Sequence, residues 1–121
     1  MRFEIAYISY NSEAFREYLG PSLEKLIGDF DKTVIPNGSM PAKAFNKVLR
    51  ESRCQYVIFT HEDIKFSPNM LERVEYTVKT IPDFGVLGLV GRDNGFNYQW
   101  ANRQKSHVVS TLDCLIHLLK L

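Results

Sequence analysis

Long apolar runs are missing from this sequence: no hydrophobic stretch approaches the roughly 20 residues a membrane span needs. Basic runs are equally absent. No run of Lys and Arg exceeds two residues, and fifteen basic residues balance fourteen acidic ones for a net charge of +1. Nothing therefore advertises a nucleic-acid surface, and any phosphate binding must be local. Cysteine is scarce, with Cys54 and Cys114 far apart. That pattern suggests neither zinc nor a disulfide framework, and reads as two reduced, packed thiols. At the N-terminus one Arg leads into Phe3-Glu4-Ile5-Ala6, an alternation that differs from the apolar core of a signal peptide, so a cytoplasmic location is expected. What remains is a good core former. With 45% hydrophobic and 24% charged residues over 121 positions, the chain reads as one globular domain, residues 1–121.

The richest stretch runs from Tyr56 to Asp63. Tyr56-Val57-Ile58-Phe59-Thr60 is a continuous β-branched and aromatic run, the pattern of a strand buried on both faces of a parallel sheet. His61-Glu62-Asp63 follows at its carboxyl end, where open α/β sheets bind ligands. Two carboxylates and an imidazole there are candidates to hold a divalent cation or a ribose.

In chain order, Arg2 to Ser9 puts Phe3, Ile5 and Tyr7 on one face and Ala6 and Ile8 on the other, as in a central strand covered on both sides. Asn11 or Ser12 is placed to cap a helix with Glu13 in its first turn and an apolar stripe of Phe15, Leu19, Leu23, Leu26 and Ile27. Gly20-Pro21 interrupts the stripe, predicting a kink or two short helices, and Gly28 ends the second. Asp31 to Ile35 is the second strand, stopped by the turn chemistry of Pro36-Asn37-Gly38-Ser39. A helix starts near Pro41 and buries Phe45, Val48 and Leu49 up to about Ser52. Ser67-Pro68 opens another, carrying Leu71, Val74, Val78 and Ile81 until Pro82.

Phe84 to Val90 is the fourth strand, with Gly85, Gly88 and Gly91 bordering a site or a tight contact. Residues 91–106, with Trp100, form a long loop of the kind that is commonly functional. Strand character returns from Val108, where Leu112, Cys114, Ile116 and Leu118 alternate with Asp113, Leu115, His117 and Leu119. No helix follows to cover that strand, so the fold is expected to continue beyond Leu121.

The element order predicts an α/β fold with a mainly parallel sheet, helices on both faces and right-handed crossovers. In this order the residues resemble the A-type (GT-A) glycosyltransferases, in particular family 2, whose nucleotide-sugar-binding half is Rossmann-like. Ile8 to Ser12 resembles the first-strand loop that meets the nucleoside. Asn37-Gly38-Ser39 resembles the turn after strand two, and Ala42 to Leu49 the helix that follows. Tyr56 to Phe66 resembles the strand and DxD-type loop, in the variant that has histidine first. Phe84 to Gly91 and Val109 to Leu119 look like the next two strands.

The resemblance implies a UDP- or GDP-sugar donor, a Mg²⁺ or Mn²⁺ ion, and a saccharide or other hydroxyl acceptor. It implies Asp63 as metal ligand and His61 where relatives place an Asp near the ribose, with Glu62 in the variable middle position and free to point away. Ser9, Asn11 and Asn37 become candidates for the nucleoside, although capping alone accounts for Asn11. Pro36 stands where the family often has an Asp, which weakens nucleoside contact at Asn37. Lys43 reads as a solvated helix lysine.

The catalytic base of inverting relatives lies in a further acidic motif beyond the last strand. Asp113 substitutes for it, or a partner supplies it, or the chain is a fragment of a larger enzyme; the last is favoured. Two readings from other classes stay open: a non-catalytic nucleotide-binding or assembly module, and a metal-dependent hydrolase built on His61, Glu62 and Asp63. A phosphoesterase site draws ligands from several strand ends. The other ends here offer Ser9, Asn11, Asn37 and Asp93 without a second histidine.

Overall fold

The computed structural model describes residues 1–81, 83–89 and 116–120. Strand β1 (Phe3–Ile8) leads into a short helical turn α1 (Ser12–Ala14), a π-helical segment (Phe15–Leu19) and α2 (Gly20–Glu24). Then come β2 (Phe30–Ile35), α3 (Pro41–Glu51), β3 (Tyr56–Thr60), α4 (Met70–Thr80), β4 (Val86–Leu89) and β5 (Ile116–Lys120). The strands form one sheet in the order β2-β1-β3-β5-β4. β1 pairs in parallel with both β2 and β3, with Ile8 opposite Ile35 and Tyr7 opposite Thr60. β5 lies antiparallel between β3 and β4, so four strands point one way and one returns. The mainly parallel sheet is as expected. The insertion of the last strand between the third and fourth is a long-range pairing that no local pattern carries.

Strand parity divides the interior into two cores. Phe3, Ile5 and Tyr7 of β1, with Tyr56 and Ile58 of β3, pack against Leu19, Leu23, Leu26, Met70, Leu71, Val74 and Val78. Ala6, Val57 and Phe59, on the other face, pack with Ile35 against Val48 and the half-buried Phe45 and Leu49 of α3. Helices thus cover both faces of the parallel portion, as alternation in β1 required. Fully burying one such aliphatic side chain stabilises the fold by about 1.5–3 kcal/mol.

Three features differ from the sequence expectation. α4 starts at Met70, because Ser67 to Asn69 folds as a turn: the Met70 N–H donates to the Ser67 carbonyl at 3.0 Å, and the Ser67 hydroxyl donates to Asn69 Oδ1 at 2.9 Å. Ile27 and Ile81, counted in apolar stripes, are 69% and 42% exposed, since each lies past the end of its helix. Among the described residues a Cβ on Gly85 would meet nothing within 4 Å, so none of them approaches that glycine closely.

Gly20 does have a packing reason. The interruption at Gly20-Pro21 widens the helix into a π turn, closed by the Gly20 N–H on the Phe15 carbonyl. Proline lacks an N–H and its ring crowds the preceding turn, and a π bulge relieves both. A Cβ on Gly20 would sit 2.9 Å from the Phe15 carbonyl oxygen and 3.0 Å from its ring. That ring stacks on Tyr7 with centroids 5.3 Å apart.

Candidate functional site

Parallel register brings three loops to one edge. β1 ends at Ile8, β2 at Ile35 and β3 at Thr60, so residues 9–11, 36–39 and 61–63 all emerge at the carboxyl ends of adjacent strands. Ser9, Asn11, Asn37, His61 and Asp63 are therefore brought to the same edge, although they are separated by up to 54 residues (63 − 9) in sequence. Backbone bonds fix the first loop: the Ser9 N–H donates to the Ile35 carbonyl at 2.8 Å, joining it to the end of β2.

Glu62 fixes the same loop to the third. Its side chain is 1% exposed, and Oε1 accepts the N–H of Tyr10 at 2.6 Å and that of Asn11 at 2.8 Å. Its own carbonyl accepts the Leu19 N–H at 3.3 Å. The middle residue of the tripeptide was expected to be free to point away. It turns inward instead, because two backbone donors wait there for an acceptor. A signal for this existed in the sequence: Tyr56, Ile58, Ile64 and Phe66 share one core, and Glu62 falls on the same parity.

Asp63 is the complement of Glu62. It is half-buried, and it makes no hydrogen bond or ion pair with any described residue. Its charge is felt by Tyr10, a half-exposed residue of the loop Ile8 to Ser12 to which the sequence assigned no role of its own. Burial first, then the carboxylates of Asp63 and Glu62, push the Tyr10 phenol above its usual range. Tyr7, one turn of the pleat earlier, is also raised, by burial first and then by Glu62.

Asn11 is the cap of α1, its Oδ1 accepting the Ala14 N–H at 3.1 Å. Its side-chain amide nitrogen remains as a donor for a ligand. Asn37 is exposed in a turn closed by Ser39, whose N–H and hydroxyl both donate to the Pro36 carbonyl at 3.3 and 2.7 Å. Gly38 takes φ +86 there, a conformation that glycine adopts without strain. His61 is exposed, Ser9 is half-buried, and Lys43 is exposed on α3. Asp113, together with Cys114, Trp100 and the rest of 90–115, lies outside the described residues.

The donor set limits how a metal ion could be held. Among the described residues no three His, Cys, Asp or Glu side chains are grouped to hold one. Asp63 with exposed His61 beside it suits an ion that keeps water and takes most of its remaining ligands from a substrate's phosphates, as Mg²⁺ does. Among the described residues no helix is long and apolar enough to cross a membrane.

The architecture has close counterparts. Over 99% of this chain it superposes on the crystal structure of S. aureus TarS 1–349, with TM-score 0.63 and 15% identity, covering 47% of that chain. The same protein in complex with UDP-GlcNAc matches with TM-score 0.60 and 16% identity, over 99% of this chain and 45% of that one. The chain thus spans about half the length of the solved structures it matches, and they share its GT-A fold. No curated protein matches it. The model of glycosyl transferase family 2 matches residues 5–117, from β1 into β5. The chain belongs to glycosyl transferase family 2, with a His-Glu-Asp loop at the end of β3.

Proposed function

We propose that the carboxyl edge of β2, β1 and β3 binds a nucleoside-diphosphate sugar, and that the chain serves glycosyl transfer to an acceptor hydroxyl. The observation that carries this reading is the contrast between Glu62 and Asp63. In folds that cradle a phosphate on the loop after the first strand, free backbone N–H groups do the work. Here the N–H groups of Tyr10 and Asn11 are already bonded to Glu62. A diphosphate at this edge therefore needs another source of positive charge, and Asp63, unpaired among the described residues, is the carboxylate available to anchor a cation. TarS, solved with UDP-GlcNAc, makes UDP the first nucleotide to try.

In this reading Asp63 would hold Mg²⁺ or Mn²⁺, which would supply the positive charge that a departing diphosphate needs. Ser9 and Asn37 face the nucleoside, with His61 toward the ribose. Tyr10 offers an exposed ring on which a base can stack. The acceptor hydroxyl oxygen forms a bond to the anomeric carbon as the bond to the diphosphate oxygen breaks, and its proton passes to a base. Asp113 is this chain's own candidate for that base.

Calorimetric titration with UDP and with GDP, each with and without Mn²⁺, tests the reading. UDP binding that requires Mn²⁺ and is weakened about tenfold or more in Asp63→Ala is the expected result. A folded chain that binds neither nucleotide contradicts it.

A further inference from the structure

We propose that Glu62 is a positioning residue for the nucleotide site: its buried side chain holds the loop after β1 and the backbone of Asp63 in one fixed relation. The inference rests on the nucleotide-sugar reading of this edge and adds a residue that the reading does not use. Three observations carry it.

First, one carboxylate oxygen takes two consecutive N–H groups, those of Tyr10 and Asn11, from a loop 51 and 52 residues away. Bonds to a carboxylate are short and strong, and these lie in a dry interior. Among the described residues the loop's other hydrogen bonds are the Ser9 N–H on the Ile35 carbonyl, the Phe15 N–H on the Asn11 carbonyl and the Asn11 side chain capping α1. Without Glu62, none of these bonds joins residues 9–11 to residues 61–63.

Second, the same residue is held from its backbone. The Glu62 carbonyl accepts the Leu19 N–H at 3.3 Å, at the point where the π turn has widened the helix. The peptide unit that carries this carbonyl also carries the Asp63 N–H, and it is planar. Orienting the Glu62 carbonyl therefore orients the start of Asp63.

Third, the clamp acts where charges of the site meet. Glu62 bonds the Tyr10 N–H and directly precedes Asp63, so the Tyr10 ring, the clamp and the Asp63 carboxylate lie in one neighbourhood. A residue that served only the hydrophobic core would need none of this. An aliphatic side chain at position 62 would pack against the same surroundings and leave two amides without an acceptor.

The test compares the wild-type chain with Glu62→Ala, Glu62→Gln and Asp63→Ala. UDP affinity in the presence of Mn²⁺ is measured by calorimetry, and hydrogen exchange of the Tyr10 and Asn11 amides by NMR of the free protein. Glu62→Ala is expected to lose about tenfold or more in UDP affinity, as for partners that orient a metal ligand, with both amides exchanging faster. Glu62→Gln keeps an oxygen that can accept both bonds, so its affinity and exchange stay within about threefold of wild type.

Folded Glu62→Ala with wild-type affinity overturns the proposal. So does Glu62→Gln as impaired as Glu62→Ala, since charge and not geometry would then be the requirement. If Glu62→Ala does not fold, Glu62→Asp replaces it: the shortened side chain keeps the charge but withdraws the acceptor, and unchanged UDP affinity with faster amides overturns the proposal. A wild-type chain that binds no UDP defeats the nucleotide reading instead. In that case the two amides alone decide whether Glu62 positions the loop: slow in wild type and Glu62→Gln but fast in Glu62→Ala supports it, and any other pattern overturns it.

Discussion

The two ends of the same three strands carry acidic residues that are treated in opposite ways. Toward the amino end, Asp31 is bonded by Arg2 Nη2 at 2.9 Å and by the Cys54 thiol at 3.3 Å, and buried Glu4 accepts the Thr33 hydroxyl at 2.5 Å. At the carboxyl edge, Glu62 is bonded by two backbone amides, whereas Asp63 has no hydrogen bond or ion pair among the described residues. An acid that closes local hydrogen bonds is accounted for by folding. Asp63, half-buried beside a bonded neighbour, is the carboxylate that the proposed site assigns to a ligand. The free, buried Cys54 belongs to the amino end, where its thiol is a donor to Asp31 and burial pushes its pKa up.

The comparison breaks most visibly at the two buried glutamates. Glu62→Ala is expected to lower the unfolding free energy by about 3 kcal/mol, since two buried amides lose their acceptor. Glu4→Ala leaves only the Thr33 hydroxyl unpaired, and one Glu4 oxygen is already without a partner. That substitution should cost about 1 kcal/mol, and urea denaturation of the two variants measures the difference. Next in size is Gly20→Ala, whose new methyl meets a backbone oxygen at 2.9 Å. It should destabilise by about 2 kcal/mol and loosen the Leu19 tie to Glu62, visible as faster exchange of the Leu19 amide.

A smaller effect sharpens the contrast between neighbours 62 and 63. The Tyr10 phenol is raised by burial and by both carboxylates, and Tyr7 by burial and by Glu62. In Asp63→Asn the Tyr10 midpoint should fall while Tyr7 stays, and in Glu62→Gln both should fall, as followed by NMR of ring-labelled tyrosine. Because both phenols titrate later in the folded chain than in the unfolded one, their contribution is complete below the ordinary tyrosine pKa of about 10. It is lost as pH rises through the folded values.

The smallest effect lies at the amino end. The Arg2 bond, then the Cys54 bond, holds the Asp31 carboxyl below the usual carboxylate range. Its stabilising contribution is therefore present above the unfolded value of about 3.9 and is lost as pH falls through the depressed one. Asp31→Asn should remove that acid-side dependence from thermal melts without changing UDP affinity.

Much of this was legible in the sequence, because it is local. Alternation in Phe3 to Ile8 showed a strand covered on both faces, and the run from Tyr56 to Thr60 showed a buried one that ends in polar residues. Pro41, Gly38 and Asn11 marked a helix start, a turn and a cap by their backbone chemistry. What escaped was non-local. The partner of Glu62 is a pair of amides over 50 residues away, and a polar residue's spacing says nothing about who will bond it. The place of β5 between β3 and β4 is likewise a pairing across distant chain. Tyr10 was read only as part of the loop Ile8 to Ser12, because its relation to Asp63, on another strand's loop, is not local.

Amide spectra of the chain with UDP and substoichiometric Mn²⁺ test the central claim most directly, since a paramagnetic ion broadens the signals near it. The account predicts broadening centred on His61 to Asp63 and reaching Ser9 to Asn11, with Glu4, Asp31 and Cys54 untouched, and its disappearance in Asp63→Ala. Broadening centred on Asp31 and Cys54, or broadening that persists at the carboxyl edge without Asp63, would contradict it.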